Sequence, residues 1–144
     1  MNATLEKFGY PETQIAHYDQ WVVLLRPQQA TLGALVLAHP GSATSFAELP
    51  VGAHNELGVV TGDIERTLKS CFGFEKINYL MLMMVDPHVH FHVLPRYSSE
   101  RHFAEQAFGD PGWPGPPRLD HATELDSAAL GHLAEYLREA WPKP

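Results

Sequence analysis

Three histidines stand at alternate positions in the run His88-Val89-His90-Phe91-His92-Val93-Leu94. If that run is a strand, alternate side chains share a face. The imidazoles then form a ladder on one side, while Val89, Phe91 and Val93 point to the other and bury. Imidazoles pack poorly in sheets and are weak strand formers, so stability alone does not account for three in a row. A functionless surface tract is one reading. A metal site is a second. The first and third residues of the ladder lie roughly 13 Å apart at their Cα atoms, and zinc holds its nitrogen ligands at about 2.0–2.1 Å. All three therefore do not meet one ion, although two neighbours with a third ligand from elsewhere do. Covalent catalysis at the middle residue, His90, is a third. A neutral imidazole keeps a nucleophilic lone pair near pH 7, provided an acceptor holds the proton on its other nitrogen.

The elements that must carry this ladder are legible nearby. Residues 20–25 and 33–38 are short apolar, β-branched runs stopped by Arg26-Pro27 and His39-Pro40-Gly41. Residues 77–85 predict a third strand broken at Asp86-Pro87, and 88–94 a fourth closed by Pro95. Between the second and third strands the period changes. Leu57, Val60, Ile64, Leu68 and Cys71 recur at helical spacing, and Gly73 suits a left-handed cap. A second helix is predicted after Asp126 as N-cap, burying Leu130, Leu133, Leu137 and Trp141. The stretch 109–117 is too rich in proline for helix or inner strand and predicts an ordered loop or an arm on some surface. The order strand, strand, helix, strand, strand, helix implies an α+β domain, an antiparallel sheet with helices on one side.

Composition narrows the setting. A chain of 144 residues, 44% hydrophobic, is long enough for one core and short for two. The expectation is a single domain over 1–144, its core about 15–97 and a C-terminal loop and helix over 98–144. With a net charge of −7 and ten scattered Lys and Arg residues, no basic run tracks a nucleic-acid backbone. No nucleic-acid partner is therefore expected, although a small anion needs only a few local donors. No apolar run is long enough for a membrane span, and the start MNATLEKFGYPE lacks the pattern of a secretion signal. The lone Cys71 offers no internal disulfide, which predicts a reducing, cytoplasmic setting.

The run His88–Leu94 matches, without a mismatch, the signature of the histidine triad family, His-x-His-x-His-x-x with x apolar. Pro95-Arg96 is similar to its fragile-histidine-triad branch. Arg26 through Ala38 resembles the family's first hairpin, and Ser45-Phe46-Ala47-Glu48-Leu49 its approach to the long helix. The resemblance covers about residues 15–97. It implies an α+β sheet of about five strands with two helices, extended across a homodimer, and a nucleotide substrate, usually adenosine-based. It implies that His90 attacks the α-phosphorus to give a nucleotidyl-histidine that water hydrolyses. His92 then contacts phosphate, and the His88 carbonyl fixes the nucleophile's tautomer. No metal and no cofactor are implied.

Arg26 matches a polar family position near the ribose, where a ribose or phosphate contact competes with a solvated strand-end arginine. Asn78 faces either the nucleotide or a neighbouring backbone group. Arg96 is a candidate phosphate contact. Trp113-Pro114 resembles the Trp-Pro of the phosphoramidate-hydrolase branch, which lies near the dimer partner's site, and is otherwise a hydrophobic anchor. Gln28, Gln29 and Thr31 read as turn residues. The other histidines, His17, His39, His54, His102, His121 and His132, have no partner spacing and read as structural or solvated.

Two departures stand out. The family's glycine-rich loop ending in Gln-Ser or Gln-Thr has no counterpart, since Met83-Met84-Val85-Asp86-Pro87 runs straight into His88. Gly33 is also followed by Ala34, where many members have histidine. The expected function is a nucleotide hydrolase acting on a phosphoramidate, acyl-nucleotide or dinucleoside polyphosphate. A regulatory nucleotide-binding module with little turnover and a metal-dependent hydrolase are the alternatives. The expected dimer interface is the sheet edge with the helix of residues 53–72.

Overall fold

The structure is a computed structural model describing residues 2–143. Five strands form one antiparallel sheet in the order β1-β2-β3-β5-β4, with β1 Gln14–His17, β2 Val22–Leu25, β3 Leu35–Ala38, β4 Lys76–Leu80 and β5 His90–Arg96. The helices are α1 Ala3–Lys7, α2 Val51–Phe72 and α3 Ser127–Ala140, with a short 3₁₀ turn at Phe46–Glu48. A separate hairpin joins β6 Arg101–Phe103 to β7 Gln106–Phe108. The fold is α+β, as the pattern of elements implied. No helix among the described residues is long and apolar enough to cross a membrane.

The unbroken apolar runs of β2 and β3 follow from burial on both faces. Val23, Leu25, Leu35, Leu37 and Val93 pack into the main core with Val60, Ile64 and Leu68 of α2 and Leu133 and Leu137 of α3. Burying a leucine or isoleucine such as Ile64 or Leu68 contributes roughly 1.5–3 kcal/mol, more than helix propensity gives per residue. Val22, Leu24, Val36 and Ala38, on the other face, meet Leu5 and Phe8. Helices were expected on one side only. The short α1 lies on the opposite side, over the sheet face that carries the even-numbered residues. Five residues are too few to show a helical period, so only Asn2, whose side chain accepts the Leu5 N–H, marks its start.

The predicted helix ends hold. Gly73 adopts a left-handed conformation (φ 64°) and its N–H closes on the Lys69 carbonyl. The Asp126 side chain accepts from the Ala129 N–H. The apolar stripe of α2 is spent within the chain's own core, so it does not by itself call for a partner subunit.

The strand predicted over 77–85 ends at Leu80, and the strand predicted from His88 begins at His90. Pairing ends at Leu80↔His92, short of Pro87, which has no N–H to give a ladder. Residues 81–89 therefore form a loop, in which Met83 takes a positive φ of 54° and Met84 and Val85 are 85% and 81% exposed. A loop stands here after all, built of methionines and without glycine. At the other end β5 continues through Pro95 to Arg96. Pairing with β3 stops at Leu35↔Val93, so Pro95 has a partner on one side only, where a proline is tolerated.

Candidate active site

The ladder is realised in part. His90 lies opposite Ala38, and His92 lies between Val36 and Leu80, both facing α1. His88 precedes the strand. Its Nδ1 sits 3.1 Å from Thr4 Oγ1 of α1, while its neighbour Val89 exchanges backbone hydrogen bonds with His39 and Ala43.

The imidazoles are set by their Nδ1 partners. His90 Nδ1 lies 2.8 Å from the His88 carbonyl oxygen. A carbonyl only accepts, so Nδ1 carries the proton and neutral His90 keeps its lone pair on Nε2. His92 Nδ1 accepts from Arg26 Nε at 3.3 Å. The two rings are 5.2 Å apart at 81°, and Phe8 lies 5.8 Å from each. His90 is 2% exposed. A cleft of about 240 Å³ opens beside them, lined by Lys7, Phe8, Arg26 and Gln28 on one side and by the loop from Leu82 to Asp86 on the other. Lys7 pairs with Asp86 at 3.0 Å and so ties α1 to that loop.

Arg26 is 8% exposed. Its Nη1 donates to the Gln28 carbonyl at 2.6 Å, and none of the ion pairs among the described residues includes it. Burial pulls its pKa below the ordinary guanidinium value. Arg26 is thus a buried cation beside two histidines whose charge no carboxylate balances among the described ion pairs. The turn that presents Arg26 is built by Gln29, whose side-chain amide donates to the Arg26 and Ala34 carbonyls and accepts the Gly33 N–H.

Burial, then the nearby Arg26 and His90, hold the His92 pKa down to about 4. The unfolded chain binds that proton near the ordinary imidazole value of 6.5, and the folded chain does not until about 4. Acidification between those values therefore favours unfolding. Thermal melts are expected to show stability falling as pH drops from 6.5 toward 4. Buried His39 adds a slope of the same sign, so the decisive comparison is with His92→Gln, which should flatten part of it. Equal slopes in the two proteins would clear His92 of the effect.

The other predicted site residues lie apart. Arg96 shares the face of His92 but sits four residues further along β5, beyond Leu94. Its Nη1 donates to Asn78 Oδ1 at 2.8 Å, its Nε and Nη2 to Asp110 at 2.7 and 3.0 Å, and its Nη2 also to the Gly115 carbonyl. Asn78, Arg96 and Gly115, with Lys76 and Trp113, line a second cleft of about 500 Å³. Leu94, packed with Ala30, Ala34, Leu80 and Leu119, walls it off from the histidines. The structure thus joins Arg26 to His88, His90 and His92, and gathers Asn78, Arg96 and Trp113 elsewhere. Lys7 and Phe8 complete the histidine cleft and Thr4 meets His88 behind it, and no sequence spacing marked them. Among the described residues, no group of three His, Cys, Asp or Glu side chains is placed to hold a metal ion.

No family model matches the sequence, and a search of curated proteins finds no match. Solved structures do match. A histidine triad protein from Sinorhizobium meliloti aligns with a TM-score of 0.75 at 23% identity, over 97% of this chain and 95% of that one. This chain has the histidine triad fold. A histidine triad protein from Marinobacter aquaeolei aligns at TM-score 0.74 and 20% identity over 94% and 93%. A hypothetical histidine triad nucleotide-binding protein from Sulfolobus tokodaii aligns at 0.65 and 15% over 89% and 82%. At these identities the likeness is one of fold, and in this chain the fold presents the His90–His92 pair beside a buried arginine.

Proposed function

We propose that this histidine triad chain is a nucleotide hydrolase that cleaves at the α-phosphate of a purine nucleotide derivative through a covalent intermediate on His90. One observation carries the reading: the His88 carbonyl holds the proton on His90 Nδ1 and leaves the Nε2 lone pair as the nucleophile. The signature His88–Leu94 and the Sulfolobus protein described as nucleotide-binding support the substrate class. Nε2 forms a bond to the α-phosphorus as the bond to the leaving group breaks, and the leaving group departs with that electron pair. Water then attacks the same phosphorus and yields a proton to the departed leaving group through solvent, while the P–N electron pair returns to Nε2, restoring His90 and releasing the nucleoside monophosphate. His92 contacts a phosphate oxygen, and the Arg26 charge, unopposed by a carboxylate, lies against the Nδ1 side of that imidazole.

The reading includes a homodimer on the sheet edge at β4 and on α2, where Val51 and Val59 are exposed. Sedimentation as a monomer at micromolar concentration would remove that part. The chemistry is tested by mixing chelator-treated protein with a fluorogenic aryl ester of AMP. The expected result is a burst equal to the sites present, then steady turnover, with an acid-labile adenylyl adduct mapped to His90 by mass spectrometry. A burst without turnover favours a regulatory module. Activity that returns only with added zinc or manganese overturns the metal-free chemistry.

A further inference from the structure

Arg26 and His92 bear on each other in a way that the resemblance does not supply. Guanidinium nitrogens have no acceptor lone pair and stay protonated. The Arg26 Nε–H at 3.3 Å from His92 Nδ1 therefore requires a lone pair on that nitrogen. Neutral His92 then carries its one proton on Nε2. His90 is held in the opposite sense by the His88 carbonyl. Two adjacent imidazoles lining one cleft thus differ in kind: His90 brings a lone pair on Nε2 and His92 an Nε2–H.

We infer that Arg26 is a positioning residue that fixes His92 as the neutral Nε2–H tautomer, making it a hydrogen-bond donor to the phosphate oxygen on which charge builds as His90 attacks. Without a partner on Nδ1, His92 could place its proton on either nitrogen, and half of those arrangements would set a lone pair against an anionic oxygen. Protonating Nδ1 would set its N–H against that of Arg26, which keeps His92 a neutral donor. The charged and titratable groups around His92 are Arg26 from the β2–β3 turn, His90 on its own strand, Lys7 on α1 and Asp86 on the loop. Lys7 and Asp86 neutralise each other, which leaves Arg26 as the unopposed cation. The catalytic consequence rests on the reading of His90 as nucleophile; the tautomer does not.

The test is the two-bond proton–nitrogen spectrum of the full chain labelled with ¹⁵N-histidine, assigned with His92→Gln. The wild-type protein is expected to show His92 as the Nε2–H tautomer, neutral throughout pH 5–8, whether or not nucleotide is turned over. Arg26→Met should mix the tautomers and move the titration of His92 up toward the ordinary imidazole range. Arg26→Gln, which restores a donor without charge, should keep the tautomer. With an aryl ester of AMP, Arg26→Met should lower kcat by about 10²-fold, the usual cost of one transition-state donor, and Arg26→Gln should recover part of it. Wild-type His92 protonated on Nδ1 would overturn the inference, as would an unchanged tautomer in Arg26→Met. Should Arg26→Met fail to fold, the wild-type and Arg26→Gln spectra still decide it. Absence of turnover with the expected tautomer would instead remove the hydrolase reading and leave the Arg26–His92 relation standing.

Discussion

His90→Ala is expected to lower turnover of an aryl ester of AMP by about 10⁴-fold or more, because it removes the atom that forms the covalent bond. The residual rate then reflects binding and the remaining donors alone. The substitution should also abolish the burst and the acid-labile adduct, which a variant merely impaired in binding would retain at saturating substrate. His90 is 2% exposed and its Nδ1–H occupies the His88 carbonyl. Truncation leaves a small cavity and an unpaired acceptor, at about 1–3 kcal/mol, within the range a folded domain survives. Circular dichroism and a thermal melt separate lost chemistry from lost fold. His90→Gly offers a positive control, since free imidazole in the vacated space should restore part of the rate. A well-folded His90→Ala protein with near-wild-type turnover would end the covalent mechanism.

What the residues revealed in advance depended on whether the determining interaction was local. Gly73 and Asp126 mark helix ends because their capping bonds reach only four and three residues along the chain. The ladder was legible because strand alternation places His90 and His92 together whatever else happens. The β6–β7 hairpin was not. Its turn, Ala104-Glu105, has positive φ at both positions (50° and 65°), a conformation normally marked by Asn-Gly or Gly. The 81–89 loop was missed because Met81–Val85 is as apolar as a strand, and its exposure is decided by where pairing with β5 ends. Burial by distant segments was equally invisible. The contacts that place α1 over the histidines, Lys7 with Asp86 and Thr4 with His88, join residues about eighty positions apart.

Arg96 illustrates the same limit, and it carries the largest expected effect on stability. An arginine two residues past the histidine signature invites a phosphate contact. In the fold its guanidinium and the Asp110 carboxylate are buried together, with side chains 4% and 1% exposed. Asp110 also accepts the Tyr97 N–H at 3.1 Å, so one carboxylate holds the end of β5 and the arm that follows residue 109. Asp110→Ala strands a buried cation and an unpaired N–H. Breaking such a pair from one side typically costs about 3–5 kcal/mol, which for a domain of this size corresponds to a fall in Tm of roughly 10–20 °C. Replacing both partners, Arg96→Met with Asp110→Leu, removes the charges together and is expected to recover part of that loss, because desolvation offsets much of what a buried pair gains, while the Tyr97 N–H, Asn78 Oδ1 and the Gly115 carbonyl still lose these partners. The double variant also separates the two roles of Arg96. The side chain stems from a position roughly 13 Å along the strand from His92, behind the Leu94 wall, so turnover at a permissive temperature should stay within a few-fold of wild type. A folded double variant that had lost its activity would instead place Arg96 in contact with substrate, and would require Asp110 to release it when nucleotide binds.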